Sequence, residues 1–277
     1  MEMLIPASDA KLFTIAPPNP GKETIILLHG GPGVPDGLTF LRRYLGRDFH
    51  VVFFHQRGTL RSPVSAQDFA MERYVADINR IADHFGVEKF HLLGHSWGGL
   101  YAQLYAQRHP SRLLSLFLCS PASGTGRQWA ETMLEVGRYN FRKSRLLEFM
   151  AMQVNTTLGL LGSNRGYRRF FRQALANFSR GFQEVHPEHF SVDCIRARTI
   201  NRTVKSILTH QTLPDVLHTP FNTTITYGDK DIFGDSKRYV LRRFPEASVQ
   251  VIPGSGHIPW SHNPQAFLPV LDTHFAR

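Results

Sequence analysis

Residues 91–100 read His-Leu-Leu-Gly-His-Ser-Trp-Gly-Gly-Leu. An apolar run meets Ser96, with Gly94 and Gly98 two residues away on either side. A serine on a sharp turn between strand and helix has its hydroxyl held clear of the sheet, and such a turn closes only where its neighbours lack side chains. A helix opening at Trp97 aims unpaired backbone N–H groups at the same point, where they stabilise an oxyanion. A serine hydroxyl is a weak nucleophile at neutral pH, so it needs a base to take its proton and a carboxylate to hold that base in one tautomer. Two later loops supply both types. Asp231 follows one apolar run and His257 follows the next, and Ser, Asp, His is the chain order expected when the serine sits on such a strand-to-helix elbow. The reading is therefore Ser96 as nucleophile, His257 as general base and Asp231 as its orienting acid, with Asp229 the alternative by position. The other strand end that could carry the acid, 119–123, reads Cys-Ser-Pro-Ala-Ser and offers no carboxylate.

The second oxyanion donor is expected from 29–33, His-Gly-Gly-Pro-Gly, which follows another apolar run. Three glycines let the backbone fold back and present N–H groups, and the N–H of Gly31 pairs with that of Trp97 in this reading. His29 and Gly30 stand at the same strand end, where ligands of parallel sheets bind, and are placed in the substrate pocket. Trp97 and Trp260 are expected to wall it.

The elements that must position these residues follow from hydrophobic periodicity. Segments 24–29, 50–55, 89–94 and 113–119 are continuous apolar runs, as in strands buried on both faces. A short strand at 11–16 precedes them. Helical spacing over 69–85 and 100–108 alternates with these strands, so the chain is predicted to be α/β, with a mostly parallel central sheet flanked by helices. After Cys119 the alternation stops. Segments 128–140, 144–156, 167–182 and 192–210 all carry helical periodicity, an all-helical cap over the strand ends. Strands resume at 222–227 and 248–252, with helices at 236–244 and 264–274. The predicted division is a core of 1–123 and 215–277 with the cap at 124–214.

With 277 residues, 42% of them hydrophobic, the chain can bury one large core. No run of about 18 apolar residues is present to span a bilayer, and residues 1–11 show neither a basic nor an apolar signal region. Cytoplasmic location is the expectation. The two cysteines and 14 histidines lack H-E-x-x-H or C-x-x-C spacing, so no disulfide framework or metal is expected. The net charge of +10 comes without an aromatic and basic nucleic-acid motif, and no nucleic-acid partner is expected. Much of the charge sits in the cap, including Arg165, Arg168, Arg169, Arg172 and Arg180. Such a cap favours an anionic substrate.

Over nearly its whole length the chain resembles the α/β-hydrolase superfamily. The stretches His29-Gly30-Gly31-Pro32-Gly33, Gln56-Arg57-Gly58 and Gly94-His95-Ser96-Trp97-Gly98-Gly99 are similar to the proline iminopeptidase branch. That resemblance implies a cofactor-free serine aminopeptidase releasing an N-terminal residue, often proline, from short peptides. The chain departs from the branch at His55, where an aspartate is usual, and at Leu60, where a glycine is. The branch holds the substrate amine with cap carboxylates, for which Glu131, Glu184, Glu135 and Glu188 are the candidates here. A carboxylesterase or lactonase acting on a small acyl substrate is the alternative, since fold alone does not fix function. A cofactor-free dioxygenase or lyase and a non-catalytic binding protein are the remoter ones. Dehalogenase and epoxide hydrolase chemistry is disfavoured because the elbow carries a serine and not a carboxylate. Oligomeric state is not readable from the sequence.

Overall fold

Every residue of Thr24–Leu28 is buried. Ile25 and Leu27 enter one apolar cluster while Ile26 and Leu28 enter another, because successive residues of a strand face opposite sides of the sheet. Such a strand requires neighbours on both edges and helices on both faces. The computed structural model, which describes residues 1–66 and 68–275, supplies both.

In chain order the strands are β1 (Glu2–Pro6), β2 (Lys11–Ile15), β3 (Thr24–Leu28), β4 (His50–Phe54), β5 (Phe90–His95), β6 (Leu113–Cys119), β7 (Asn222–Gly228) and β8 (Ser248–Ile252). The helices are α1 (Thr39–Leu45), α2 (Met71–His84), α3 (Trp97–Arg108), α4 (Arg127–Lys143), α5 (Leu146–Leu160), α6 (Asn164–Ser179), α7 (Ala197–Thr209), α8 (Lys237–Arg243), α9 (Pro259–His262) and α10 (Pro264–His274). One eight-stranded sheet runs β1-β2-β4-β3-β5-β6-β7-β8. The pairs β1/β2 and β2/β4 are antiparallel, and the rest are parallel. Helices α2 and α3 cover one face, and α1 and α10 cover the other. This is the mostly parallel sheet with helices on both faces that the alternation predicts, and the architecture that the resemblance to the α/β hydrolases implies.

Helices α4 to α7 lie between β6 and β7 in sequence, where the helical periodicity falls. The segment expected as one helix over 192–210 divides. A single 3₁₀ turn, Val192–Cys194, precedes α7. Two elements carry no sequence signal of their own. Strand β1 is a five-residue edge strand ending in proline, with only Ile5 buried in it. Helix α1 has seven residues and buries two, and its exposed N–H groups on Thr39 and Phe40 are capped by the carboxylate of Glu188 at 3.0 and 2.7 Å. No local pattern can announce a cap about 150 residues away.

Candidate active site

The end of β5 passes directly into α3, and the turn between them is tight enough to exclude side chains. A Cβ on Gly98 would lie 2.2 Å from the carbonyl oxygen of Leu28, and one on Gly94 would lie 2.6 Å from that of Gly98. Glycine at these positions is thus a packing requirement of the strand-to-helix crossing. Ser96 at the apex has φ 54°, a conformation that costs a non-glycine residue on the order of 1–3 kcal/mol. Its N–H donates to the Cys119 carbonyl, and its own carbonyl accepts from Leu100 and Ala122. The strain is held in place by β6 on one side and α3 on the other.

Asp231 and His257 arrive from the ends of β7 and β8. The imidazole Nδ1 donates to Asp231 Oδ1 at 3.0 Å, which leaves Nε2 as the unprotonated nitrogen of the neutral ring. Both side chains are buried. Burial alone would raise the Asp231 pKa, but the imidazole charge and hydrogen bond beside it, with the Ser120 hydroxyl, bring it down to about 2. Asp231 Oδ2 accepts from Ser120 Oγ at 2.6 Å, and Oδ1 also accepts from the Phe233 N–H at 3.2 Å. Asp229, the alternative acid, instead accepts from the Ser255 N–H at 2.9 Å and braces the loop that carries His257. Ser120 is a residue that sequence reasoning passes over. It sits at the end of β6 with φ 43°, at the very strand end noted for lacking a carboxylate, and its hydroxyl reaches the acid held on the next strand.

Ser96, Gly30, Gly31, Trp97 and His257 line one cavity of about 270 Å³. Its remaining wall is mostly aromatic and aliphatic, with Trp129, Tyr167, Phe170, Phe171 and Phe178 from α4 and α6. No Asp, Glu, Lys or Arg lines it among the described residues.

Four residues expected in the pocket lie elsewhere. His29 is wholly buried behind the glycine loop, its Nδ1 donating to Gly30 O at 2.9 Å and its Nε2 accepting from the Gln56 N–H at 3.1 Å. Burial lowers its pKa to about 4 despite the raising effect of the Gly30 hydrogen bond, so it is a neutral brace. Gln56 completes the brace by accepting from the Trp97 indole at 2.8 Å. Trp260 is also fully buried, stacking edge-on against His95 with centroids 4.8 Å apart. It backs the loop that carries His257 rather than the cavity. Glu131 pairs with Arg238 at 2.6 Å and accepts from Tyr239, and Glu184 accepts from the Ser179 hydroxyl.

The other two candidate amine-site acids are equally occupied. Glu135 accepts from the N–H groups of Gly234 and Ser236, and Glu188 caps α1. The basic residues 165, 168, 169, 172 and 180 are absent from the cavity wall. Arg165, Arg169, Arg172 and Arg180 are exposed, as long charged side chains favour, with Arg172 paired to Asp193 and Arg180 to Glu148, while Arg168 is half-buried and donates to the Ile195 carbonyl at 3.4 Å. The expectation that the basic segment selects an anionic substrate is therefore corrected by where those side chains stand.

The chain is 33% identical over 150 residues to the proline iminopeptidase of Neisseria gonorrhoeae, a match covering 47% of each chain. It is 35% identical over 120 residues to a probable proline iminopeptidase of Streptomyces coelicolor, covering 40% of this chain and 37% of the other. The chain thus spans about half or less of the length of the curated relatives it matches. Among solved structures, a proline iminopeptidase-related protein from Thermus thermophilus superposes with a TM-score of 0.70 at 21% identity, covering 100% of this chain and 97% of that one. A carboxylesterase from Bacillus subtilis gives a TM-score of 0.64 at 15% identity, covering 99% and 91%. The family model described as alpha/beta hydrolase fold matches residues 23–263, and with the sheet order and strand-end geometry above, the chain belongs to the alpha/beta hydrolase fold family.

Proposed function

We propose that this chain is a cofactor-free serine hydrolase that cleaves esters of apolar acyl groups, with 124–214 as the cap that shapes its acyl site. Ser96 Oγ attacks the ester carbonyl as its proton passes to His257 Nε2, and Asp231 stabilises the imidazolium that results. The tetrahedral oxyanion accepts from the N–H groups of Gly31 and Trp97. Collapse breaks the bond to the alcohol, which leaves with the proton from His257. Water, deprotonated by the same nitrogen, then attacks the acyl-enzyme and releases the acid and free Ser96.

The observation that carries the substrate class is the absence of charged side chains on the wall of the Ser96 cavity among the described residues. A free α-ammonium group placed there would lose its hydration without a carboxylate to replace it, a cost of several kcal/mol. An apolar acyl chain gains instead, at about 25 cal/mol for each Å² removed from water. Aminopeptidase activity is the second reading, favoured by the names of the curated relatives.

Initial rates on nitrophenyl esters of increasing acyl length, beside free and N-blocked prolyl and other aminoacyl anilides, separate the two. Ester turnover without aminoacyl anilide turnover is expected, and Ser96→Ala should lower it by about 10³-fold or more. Turnover of free-amine anilides but not of their N-blocked forms would transfer the assignment to an aminopeptidase.

A further inference from the structure

Helix α5 is inside out. Its buried positions are Met152 and Gly159, and Gly159 lets the helix press against the Tyr167 ring of α6, where a Cβ would come within 2.6 Å. Its solvent side carries Leu147 at 79% exposure, Met150 at 55%, Val154 at 60% and Leu158, with Leu161 at 81% just past the helix end. The spacings of three, four, four and three residues put all five on one stripe. Leu146 and Phe141 extend it around the corner from α4. A contiguous exposed apolar face of this length marks a contact surface.

Two observations identify what covers it. The stripe is rimmed by cations. Arg138, Arg142 and Arg145 are exposed at the α4–α5 corner, and Arg165 and Arg169 are exposed on the adjoining α6. Segment 124–214 holds fourteen Lys and Arg against six Asp and Glu, eight of the chain's ten net positive charges. A second copy of the chain would bring this basic rim against itself, whereas an anionic lipid surface neutralises it. Beside the stripe, two further exposed apolar side chains reach the cavity mouth, one on α4 and one at the end of α5. Met133 and Leu160 are exposed large apolar residues that line the Ser96 cavity as well. Among the described residues no helix is long and apolar enough to cross a membrane, so the contact lies in the interface plane.

We propose that α5 and the α4–α5 corner dock on an anionic membrane surface, with the cavity opening toward the lipid. An apolar ester dissolved in the bilayer then reaches Ser96 past Met133 and Leu160 without crossing water. That last step rests on the hydrolase reading, and the docking itself does not.

The test is flotation of the purified full chain with vesicles of phosphatidylcholine alone and of phosphatidylcholine mixed with phosphatidylglycerol. Binding is expected to the mixed vesicles and to weaken with added salt. The double variant Leu147→Asp/Val154→Asp should lose about tenfold or more of that binding, while its circular dichroism and its turnover of a short water-soluble ester match wild type. Ser96→Ala should bind like wild type, which keeps the docking separable from the chemistry. If no ester is turned over, the hydrolase reading fails and the vesicle result still decides the docking. Wild-type protein that binds neither vesicle, or a double variant that binds like wild type, overturns the proposal. So does a wild-type dimer that the double variant dissociates and that leaves the vesicles unbound, since the face then belongs to a second copy.

Discussion

Asp229 and Asp231 lie two residues apart on one loop, and their burial and hydrogen bonds tell them apart, since Asp229 is exposed and the Asp231 side chain is buried. Asp231 accepts from His257, Ser120 and the Phe233 backbone, whereas Asp229 accepts from the backbone of Ser255. Asp231→Asn keeps the shape but offers the imidazole an amide, which favours the wrong tautomer and is expected to cost about 10³–10⁴-fold in kcat. Asp229→Asn should change kcat by only about threefold or less, as removal of a loop brace. Steady-state rates on one ester rank the two, and the reverse ranking would reassign the acid. Ser120→Ala removes one of the donors that hold the carboxylate, and it should lower kcat about tenfold with KM unchanged. A rise in KM alone would mean that Ser120 shapes the pocket instead. The chemistry-bearing types were legible because serine, aspartate and histidine each follow an apolar run. The support behind them was not. Ser120 stands in a stretch marked only by its lack of a carboxylate, and His29 reads as a pocket residue because nothing in its own neighbourhood announces that Gln56 will engage its ring.

At the scale of elements, α8 ties the helical segment between β6 and β7 to the sheet through one side chain. Arg243 is buried and donates to Gln103 Oε1, Ser123 O and Gln128 Oε1 at 2.5, 2.9 and 2.8 Å, and to Pro214 O at 2.8 Å. Ser123 and Gln128 lie where the helical segment leaves the sheet, and Pro214 lies where it returns. The guanidinium therefore clasps both crossings at once. Without a carboxylate among these acceptors, burial pulls its pKa down to about 10, which still leaves it charged at neutral pH. Arg243→Met strands four acceptors and should cost about 3–5 kcal/mol in urea unfolding. It should also speed proteolytic cutting near 123–128 and 210–216 ahead of the core, and even loss of all segments together would show that the clasp serves global stability only. Strands and long helices were readable from periodicity because parallel strands bury both faces and α2 buries one. Short edge elements such as β1 and α1 were not, since partners far along the chain hold them. The outward stripe of α5 was unreadable for a related reason: an apolar helix face gives the same pattern whether it meets a core or a membrane.

At the scale of the whole molecule, buried histidines make stability decline with acid at a higher pH than the depressed carboxylates do. His29, His95 and His262 are each at most 6% exposed, and burial lowers their pKa values from 6.5 to about 4, 3 and 4. Below pH 6.5 the unfolded chain takes up protons at these rings while the folded chain does not, so stability present at neutral pH declines as pH falls toward the folded values. At about pH 5 each site has lost about 2 kcal/mol, or about 6 kcal/mol for the three, against a typical total of about 5–15 kcal/mol. Asp231 acts in the same direction but lower down. Its pKa falls from 3.8 to about 2, so its contribution is complete above pH 4 and is lost only between there and about 2. Urea midpoints followed from pH 7 to pH 4 should therefore fall steadily from just below pH 6.5, by about half before carboxylates begin to titrate. A midpoint constant down to pH 4.5 would mean that these three rings accept protons in the folded state. The neutral brace behind the glycine loop and the neutral ring beside His257 would then both need revision.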